Sequence, residues 1–259
     1  MEYTLITGAC GGLGKEFCRQ LIKSEDLFLT GRNEEKLLKL KQELSEINPQ
    51  RKTEIFKADL TDEKERENLF LFADEKGITF SGYIGVAGAD IQKEFLKYTP
   101  EKIVFQTRIN FEANIAVCHE VLMRRAEKLK ILTVSSMSGS TPMPYFAIYS
   151  ATKAALINFY TSLRYEVKNA NITILVPGGI PTREDVIRDI ERQGVTGKLS
   201  SRPAEFVVRK ALKGLEKNKR LVIPGAFNKF VYGIEKIAPM PMRCRFVAKK
   251  WKQKEKDAF

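Results

Sequence analysis

A doubly wound α/β domain, with a parallel sheet of about seven strands covered by helices on both faces, is the fold class this chain predicts. Three observations carry that expectation. Short segments that are apolar throughout alternate with amphipathic stretches from the first residue, the pattern of strands buried on both faces. A glycine-rich run, Thr7–Gly14, follows the first apolar segment and leads into a helical one. No linker divides the 259 residues, a length that suits one large domain.

Tyr3–Thr7 is predicted as the first strand, followed by the glycine-rich turn and a helix to about Lys23. Leu27–Thr30 is the second strand, and Asn33 can cap a helix running to about Ile47. Glu54–Ala58 is the third strand, with a helix from about Asp62 to Lys76, and Tyr83–Ala87 is the fourth. Thr99-Pro100-Glu101 places a cap, a first-turn proline and a first-turn acid in the order that opens a long helix. Ile131–Ser135 is the fifth strand, Ala147–Val167 a long helix, and Ile172–Val176 a sixth strand ending at Pro177-Gly178-Gly179. Pro203 opens another helix before a last short strand, Leu221–Ile223. The predicted sheet domain therefore spans 1–225, with a helical, basic C-terminal extension over 226–259.

Composition narrows the function classes. The chain is 43% hydrophobic, 10% aromatic and 29% charged, which excludes disordered, collagen-like and disulfide-scaffold classes. No apolar run approaches the roughly 18 residues of a membrane span, and the opening MEYTLITG lacks the basic-then-apolar order of a secretion signal. Cys10, Cys18, Cys118 and Cys244 are far apart, so reduced thiols, a cytoplasmic setting and no metal site are expected. The single histidine, His119, argues against a Ser-His-Asp hydrolase. The formal charge of +12 is uneven: residues 1–200 carry a net of +1 and residues 201–259 a net of +11. A neutral body disfavours nucleic-acid binding, while the basic end leaves an anionic partner open.

The glycine run is the first candidate site. Glycines there let the backbone turn tightly and approach a pyrophosphate, and the following helix offers free N–H groups and a positive dipole end. A dinucleotide fold that holds a free ribose 2′-hydroxyl places an acid about 20 residues on. Here that place reads Thr30-Gly31-Arg32-Asn33. The guanidinium of Arg32 suits a 2′-phosphate, so NADP(H) is expected over NAD(H). Asp59, after the third strand, suits either an adenine contact or a helix cap.

A tyrosine followed four residues later by lysine occurs at Tyr98/Lys102, Tyr149/Lys153 and Tyr232/Lys236. Only the middle pair begins a long helix directly after a strand, with Ser136 at that strand's carboxyl end, where ligands bind in such sheets.

With these pieces in place the chain resembles the short-chain dehydrogenase/reductase superfamily. The matching residues are Thr7-Gly8-x3-Gly12-x-Gly14, Asp59-Leu60, Asn110, Ser136, Tyr149-Ser-Ala-Thr-Lys153 and Pro177-Gly178-Gly179-Ile180-Pro181-Thr182. The resemblance implies a Rossmann domain in which Tyr149 is the acid/base. Lys153 would lower its pKa and hold the nicotinamide ribose, and Ser136 would bind the substrate oxygen. Asn110 would support a proton-relay water, and Thr182 would contact the carboxamide. The implied cofactor contacts are Gly8, Cys10, Gly12, Leu13, Gly14, Arg32, Asp59, Leu60, Ala87, Gly88, Lys153, Pro177, Gly178, Ile180 and Thr182. It also implies a homo-oligomer, dimer or tetramer. These roles are physically sound, since a phenol titrating near pH ~10 needs a stabilised phenolate to act as a base. A lysine at i+4 lies on the same helix face to supply the cation. One departure stands out: where the family has Asn-Asn-Ala-Gly ending the fourth strand, this chain has Gly85-Val86-Ala87-Gly88.

Substrate choice is expected from Asp90–Phe95, Met137–Phe146 and Arg183–Ser201. Met143, Pro144, Tyr145 and Phe146 suggest an apolar wall, and Val186, Ile187 and Ile190 the inner face of a lid helix. Phe227, Phe230, Val231, Ile234 and Ile237 form an apolar stripe in the extension. The tail from Arg243 to Lys256 surrounds Phe246, Val247 and Trp251 with seven basic residues. It suits either an anionic membrane surface or packing on its own domain or a subunit, followed by a solvated tail. The leading expectation is an NADPH-dependent reductase or alcohol dehydrogenase for a small apolar carbonyl or alcohol substrate. A 3-oxoacyl-thioester reductase and a non-catalytic NADP(H)-sensing protein are the alternatives.

Overall fold

The structure is a computed structural model and describes residues 1–252; the last residues of the basic tail lie outside them. The strands are β1 (Glu2–Thr7), β2 (Leu27–Gly31), β3 (Thr53–Lys57), β4 (Thr79–Gly85), β5 (Arg125–Val134), β6 (Ala170–Leu175) and β7 (Leu221–Val222). They form one parallel sheet in the order β3-β2-β1-β4-β5-β6-β7. The helices are α1 (Gly12–Leu21), α2 (Glu34–Ile47), α3 (Glu63–Glu75), α4 (Pro100–Thr107), α5 (Ala113–Met123), α6 (Ala147–Glu166), α7 (Glu184–Arg192), α8 (Gly194–Ser200), α9 (Ala204–Glu216), α10 (Ala226–Ile237) and α11 (Met240–Trp251).

The alternation of side chains along each strand explains the two-faced core. Leu5, Ile131 and Ile174 point into one cluster with Leu69 and Phe70 of α3, Val117 of α5 and Leu156 and Tyr160 of α6. Their neighbours Ile6, Leu132 and Leu175 point into the other, with Phe17 of α1, Leu37 and Leu40 of α2 and Val208 and Ala211 of α9. The chain reverses its direction of travel across the sheet between β1 and β4, which opens a crevice beyond the strand carboxyl ends.

Caps follow the sequence closely: Asn33 accepts from Lys36 N, Asp62 from Glu65 N and Thr99 from Lys102 N. Three boundaries differ from expectation. β4 begins at Thr79, because alternate polar residues there still pair with β1, and stops at Gly85. Beyond it Val86 N and Ala87 N donate to Thr7 Oγ1 at 3.2 and 3.3 Å instead of a strand. β5 extends back to Arg125 through charged residues that mask its strand character. The helix opened by Thr99 is broken by a π-helical turn, Arg108–Glu112, a feature common at functional sites. The expected lid is two helices, α7 and α8, parted at Gly194, whose φ is 59°. Among the described residues no helix is long and apolar enough to cross a membrane.

Candidate active site

A continuous cavity of about 970 Å³ lies over the carboxyl ends of the central strands. At one end it is walled by Gly8, Cys10, Gly12, Leu13 and Gly14, between β1 and the start of α1. Gly8 has φ 64°, and a Cβ on Gly14 would collide with the Gly8 carbonyl, so the loop closes tightly only with glycine. No side chain caps α1, which leaves its first N–H groups for an anion. Beside them stand Arg32 and Lys36, the second of which sequence reasoning missed although it lies one turn into α2. Among the described residues neither cation has a carboxylate at salt-bridge distance. The donor set fits a phosphorylated dinucleotide.

Further along the wall come Ala87, Gly88, Ser136, Tyr149, Lys153, Pro177, Gly178, Ile180 and Thr182. Ser136 starts the short turn after β5 and accepts from Ser138 N at 3.1 Å. Ser136 and Tyr149 line the same wall of the cavity. Burial holds the Tyr149 phenol well above the usual range; the Asp90 carboxylate raises it further, while Ser136 and Arg183 oppose. Lys153 is buried, and its Nζ donates to Val134 O at 2.8 Å and lies 5.6 Å from the Tyr149 ring centre. Desolvation pushes the Lys153 ammonium down to about 8, with Asp90 opposing. Asp90 is itself bridged to Arg183 at 2.8 Å, which joins the loop after β4 to the start of α7.

Asn110 lies behind this wall. From the π-helical turn its Oδ1 accepts from Ala89 N at 2.7 Å, and its Nδ2 donates to Ala89 O at 2.9 Å and Thr152 Oγ1 at 3.3 Å. It clamps the loop after β4 against α6. Asp59 and Leu60 are not brought to the cavity lining. Asp59 Oδ1 accepts from Thr61 N at 2.9 Å and Thr61 Oγ1 at 2.7 Å, closing a turn before α3, and Leu60 is buried in the core.

All three expected substrate regions reach the cavity, through Asp90 and Gln92, through Met137, Met143 and Phe146, and through Val186, Asp189 and Ile190. Pro144, Tyr145 and Ile187 are not part of the lining; Ile187 faces solvent. The C-terminal extension packs on its own domain and completes the wall with Phe227, Val231, Val247, Lys250 and Trp251. The Phe146 ring stacks on Tyr149 at 4.3 Å between centres and on Trp251 at 5.8 Å, within 13° of parallel in both cases. Arg243 holds α11 down through Thr141 Oγ1 at 3.0 Å, and Glu235 of α10 accepts from Ser140 Oγ. The sequence left this segment open between a membrane surface and packing on its own domain or a subunit.

The family model described as short chain dehydrogenase matches residues 2–188. The chain belongs to that family. It is 31% identical over 206 residues to the 3-oxoacyl-acyl-carrier-protein reductase FabG of Rickettsia bellii, covering 76% of this chain and 81% of that one. Its fold superposes on a 7beta-hydroxysteroid dehydrogenase with a TM-score of 0.84 at 24% identity, covering 95% and 96% of the two chains. It also superposes on a short-chain dehydrogenase from Sphingobium yanoikuyae in complex with NADPH, with a TM-score of 0.77 at 21% identity over 100% and 99%. As a short-chain dehydrogenase the protein is an oxidoreductase of carbonyl and alcohol groups, and its Ser136, Tyr149 and Lys153 line one wall.

Proposed function

We propose that this short-chain dehydrogenase transfers hydride between NADP(H) and the carbonyl or secondary alcohol of an apolar substrate. The observation that carries the reading is the single cavity whose lining runs from Tyr149 and Ser136 to the Arg32 and Lys36 pair. The glycine loop and the N-terminus of α1 would hold the pyrophosphate, Arg32 and Lys36 the 2′-phosphate, and Lys153, Ile180 and Thr182 the nicotinamide end. When bound, the cofactor supplies or accepts the hydride. The chain's own part is to place the substrate oxygen and move one proton. Ser136 Oγ orients that oxygen, and Tyr149, kept protonated by burial and Asp90, donates its phenolic proton as a carbonyl is reduced. Lys153 sets a positive charge beside the phenol, which favours the phenolate left behind.

The test is nicotinamide absorbance turnover against ketones, aldehydes and 3-oxoacyl thioesters, with NADPH and NADH, beside Tyr149→Phe. Turnover with NADPH that the variant loses, with NADPH binding retained, is the expected result. Equal turnover by Tyr149→Phe would overturn the acid/base assignment.

A 3-oxoacyl thioester is the second reading, favoured by the identity to a 3-oxoacyl reductase and by the basic extension that could receive an acidic carrier. Preference for a carrier-linked thioester over the free ketone would establish it. The outer face of the extension also suits an anionic membrane. Phe230, Ile237 and Met240 are exposed there beside Lys229, Lys236, Arg245 and Lys249. Unchanged flotation with phosphatidylglycerol vesicles after Arg245→Glu/Lys249→Glu would remove that role.

A further inference from the structure

The substrate end of the cavity is built asymmetrically. From Tyr149 the near-parallel rings of Phe146 and Trp251 lead outward, and Met143, Val231 and Ile190 complete an apolar slot. Next to Trp251 on α11 stands Lys250, half-buried on the same wall.

Charged side chains elsewhere on this part of the wall are matched within the chain. Arg183 bridges Asp90 and Asp185 at 2.8 and 3.1 Å, and Asp189 lies 4.0 Å from Arg192. Glu235 accepts from the neutral Ser140 hydroxyl, but the positive charges of Arg243 and Lys236 lie near enough to favour its carboxylate. Lys250 differs. Its Nζ donates to the neutral Thr196 Oγ1 of α8 at 3.2 Å. Among the described residues no carboxylate lies at salt-bridge distance from it. Burial depresses the ammonium below the usual lysine range, the electrostatic sign of a cation held partly out of water without its counter-charge. Arg32 and Lys36 serve the opposite, cofactor end of the cavity.

We infer that the substrate is an amphiphilic acid: a carbonyl or alcohol on an apolar body, with a carboxylate or other anionic group received by Lys250. The inference rests on the proposed reading that this cavity takes a carbonyl or alcohol, and it names which class. An apolar body fills the slot between the rings and α7, and the reacting carbon meets Tyr149. The anionic end replaces water at an ammonium to which the described residues offer only a hydroxyl. A charge-assisted bond in such a place contributes more than a neutral one.

Two paired probes test this on the full chain: an oxo-steroid carboxylic acid and a long-chain oxo fatty acid, each beside its methyl ester. Trp251 is the chain's only tryptophan, so its fluorescence reports binding beside Lys250 without requiring turnover. The expected result is about tenfold tighter binding of an acid than of its ester. Lys250→Met should erase the difference and leave ester binding within about twofold, and Lys250→Arg should keep most of it. An acid-to-ester ratio unchanged by Lys250→Met overturns the inference, as does fluorescence that neither member of either pair perturbs. Turnover of esters and acids alike would remove the inference and leave the oxidoreductase reading standing. Acid-selective, Lys250-dependent binding without turnover would do the reverse.

Discussion

The Tyr83 hydroxyl occupies the space that a side chain at Gly85 would need. A Cβ there would stand 2.9 Å from that oxygen and 2.6 Å from Asn114 Nδ2. The hydroxyl donates to Asn114 O at 3.3 Å, while Tyr160 donates to Asn114 Oδ1 at 2.6 Å and Thr133 Oγ1 to the same atom at 3.3 Å. Where the family pattern has asparagine, this chain fills the buried polar site from two residues earlier on the same strand face. Tyrosine at 83 and glycine at 85 are therefore sterically coupled.

Restoring the family residue should fail for that reason. Gly85→Asn is expected to destabilise the fold by about 3 kcal/mol through overpacking. Adding Tyr83→Phe should recover about 1 kcal/mol of it. A double-mutant cycle by urea unfolding reads the coupling, and strict additivity would show that the two positions do not compete.

Burial of the Lys153 ammonium costs the fold stability. Its folded pKa of about 8 lies below that of an unfolded lysine, so near neutrality the fold carries a charge it disfavours. Because the unfolded chain binds more protons between pH ~8 and ~10.5, stability should rise with pH through that window. At pH 7 Lys153→Met should raise stability by about 2 kcal/mol, after the lost bond to Val134 O, while turnover falls at least about a hundredfold. Calorimetry and turnover on one sample check both halves, and a variant less stable than the wild type would contradict the assignment.

Asp90 raises the Tyr149 phenol. Asp90→Asn should therefore shift the alkaline limb of carbonyl reduction, which needs the phenol, to lower pH. The onset of alcohol oxidation, which needs the phenolate, should shift the same way. The variant also breaks the bridge to Arg183, so Arg183→Gln serves as the control. It removes a cation that lowers the phenol and should move both limbs to higher pH. Shifts of the same sign in both variants would point to loosening of the loop instead.

Arg32 and Lys36 can be tested without touching the chemistry. Arg32→Ala/Lys36→Ala should raise the KM for NADPH by about a hundredfold, from two charge-assisted contacts, and change that for NADH by less than about threefold. Equal losses for both cofactors would mean that these residues do not recognise a 2′-phosphate.

Asn110→Ala should leave Ala89 N and O without their partners in a buried place. A loss of about 2–3 kcal/mol is expected, and kcat should fall because Gly88 and Asp90 flank the released residue. Hydrogen exchange of the Ala89 amide reads the clamp directly, and unaltered protection would show that the loop is held by other contacts.

The sheet, its helices and the gathering of Ser136, Tyr149 and Lys153 on one wall were legible in the sequence because they rest on local rules. Apolar runs, caps at Asn33, Asp62 and Thr99, a glycine loop between strand and helix, and an i+4 tyrosine–lysine pair are all set by neighbours along the chain. The order of those elements was enough to place Ser136, Tyr149 and Lys153 at the strand carboxyl ends. What the tertiary structure alone decided depends on contacts between distant segments. Asn110 became a clamp through a π-helical turn, and Asp59 was drawn into a turn at Thr61 and away from the cavity lining. The basic tail, left open by the sequence between a membrane surface and packing on its own domain or a subunit, turned Val247, Lys250 and Trp251 inward to finish the cavity wall. Apolar periodicity states that a helix face will be covered; only the packing of α10 and α11 against the sheet domain states by what.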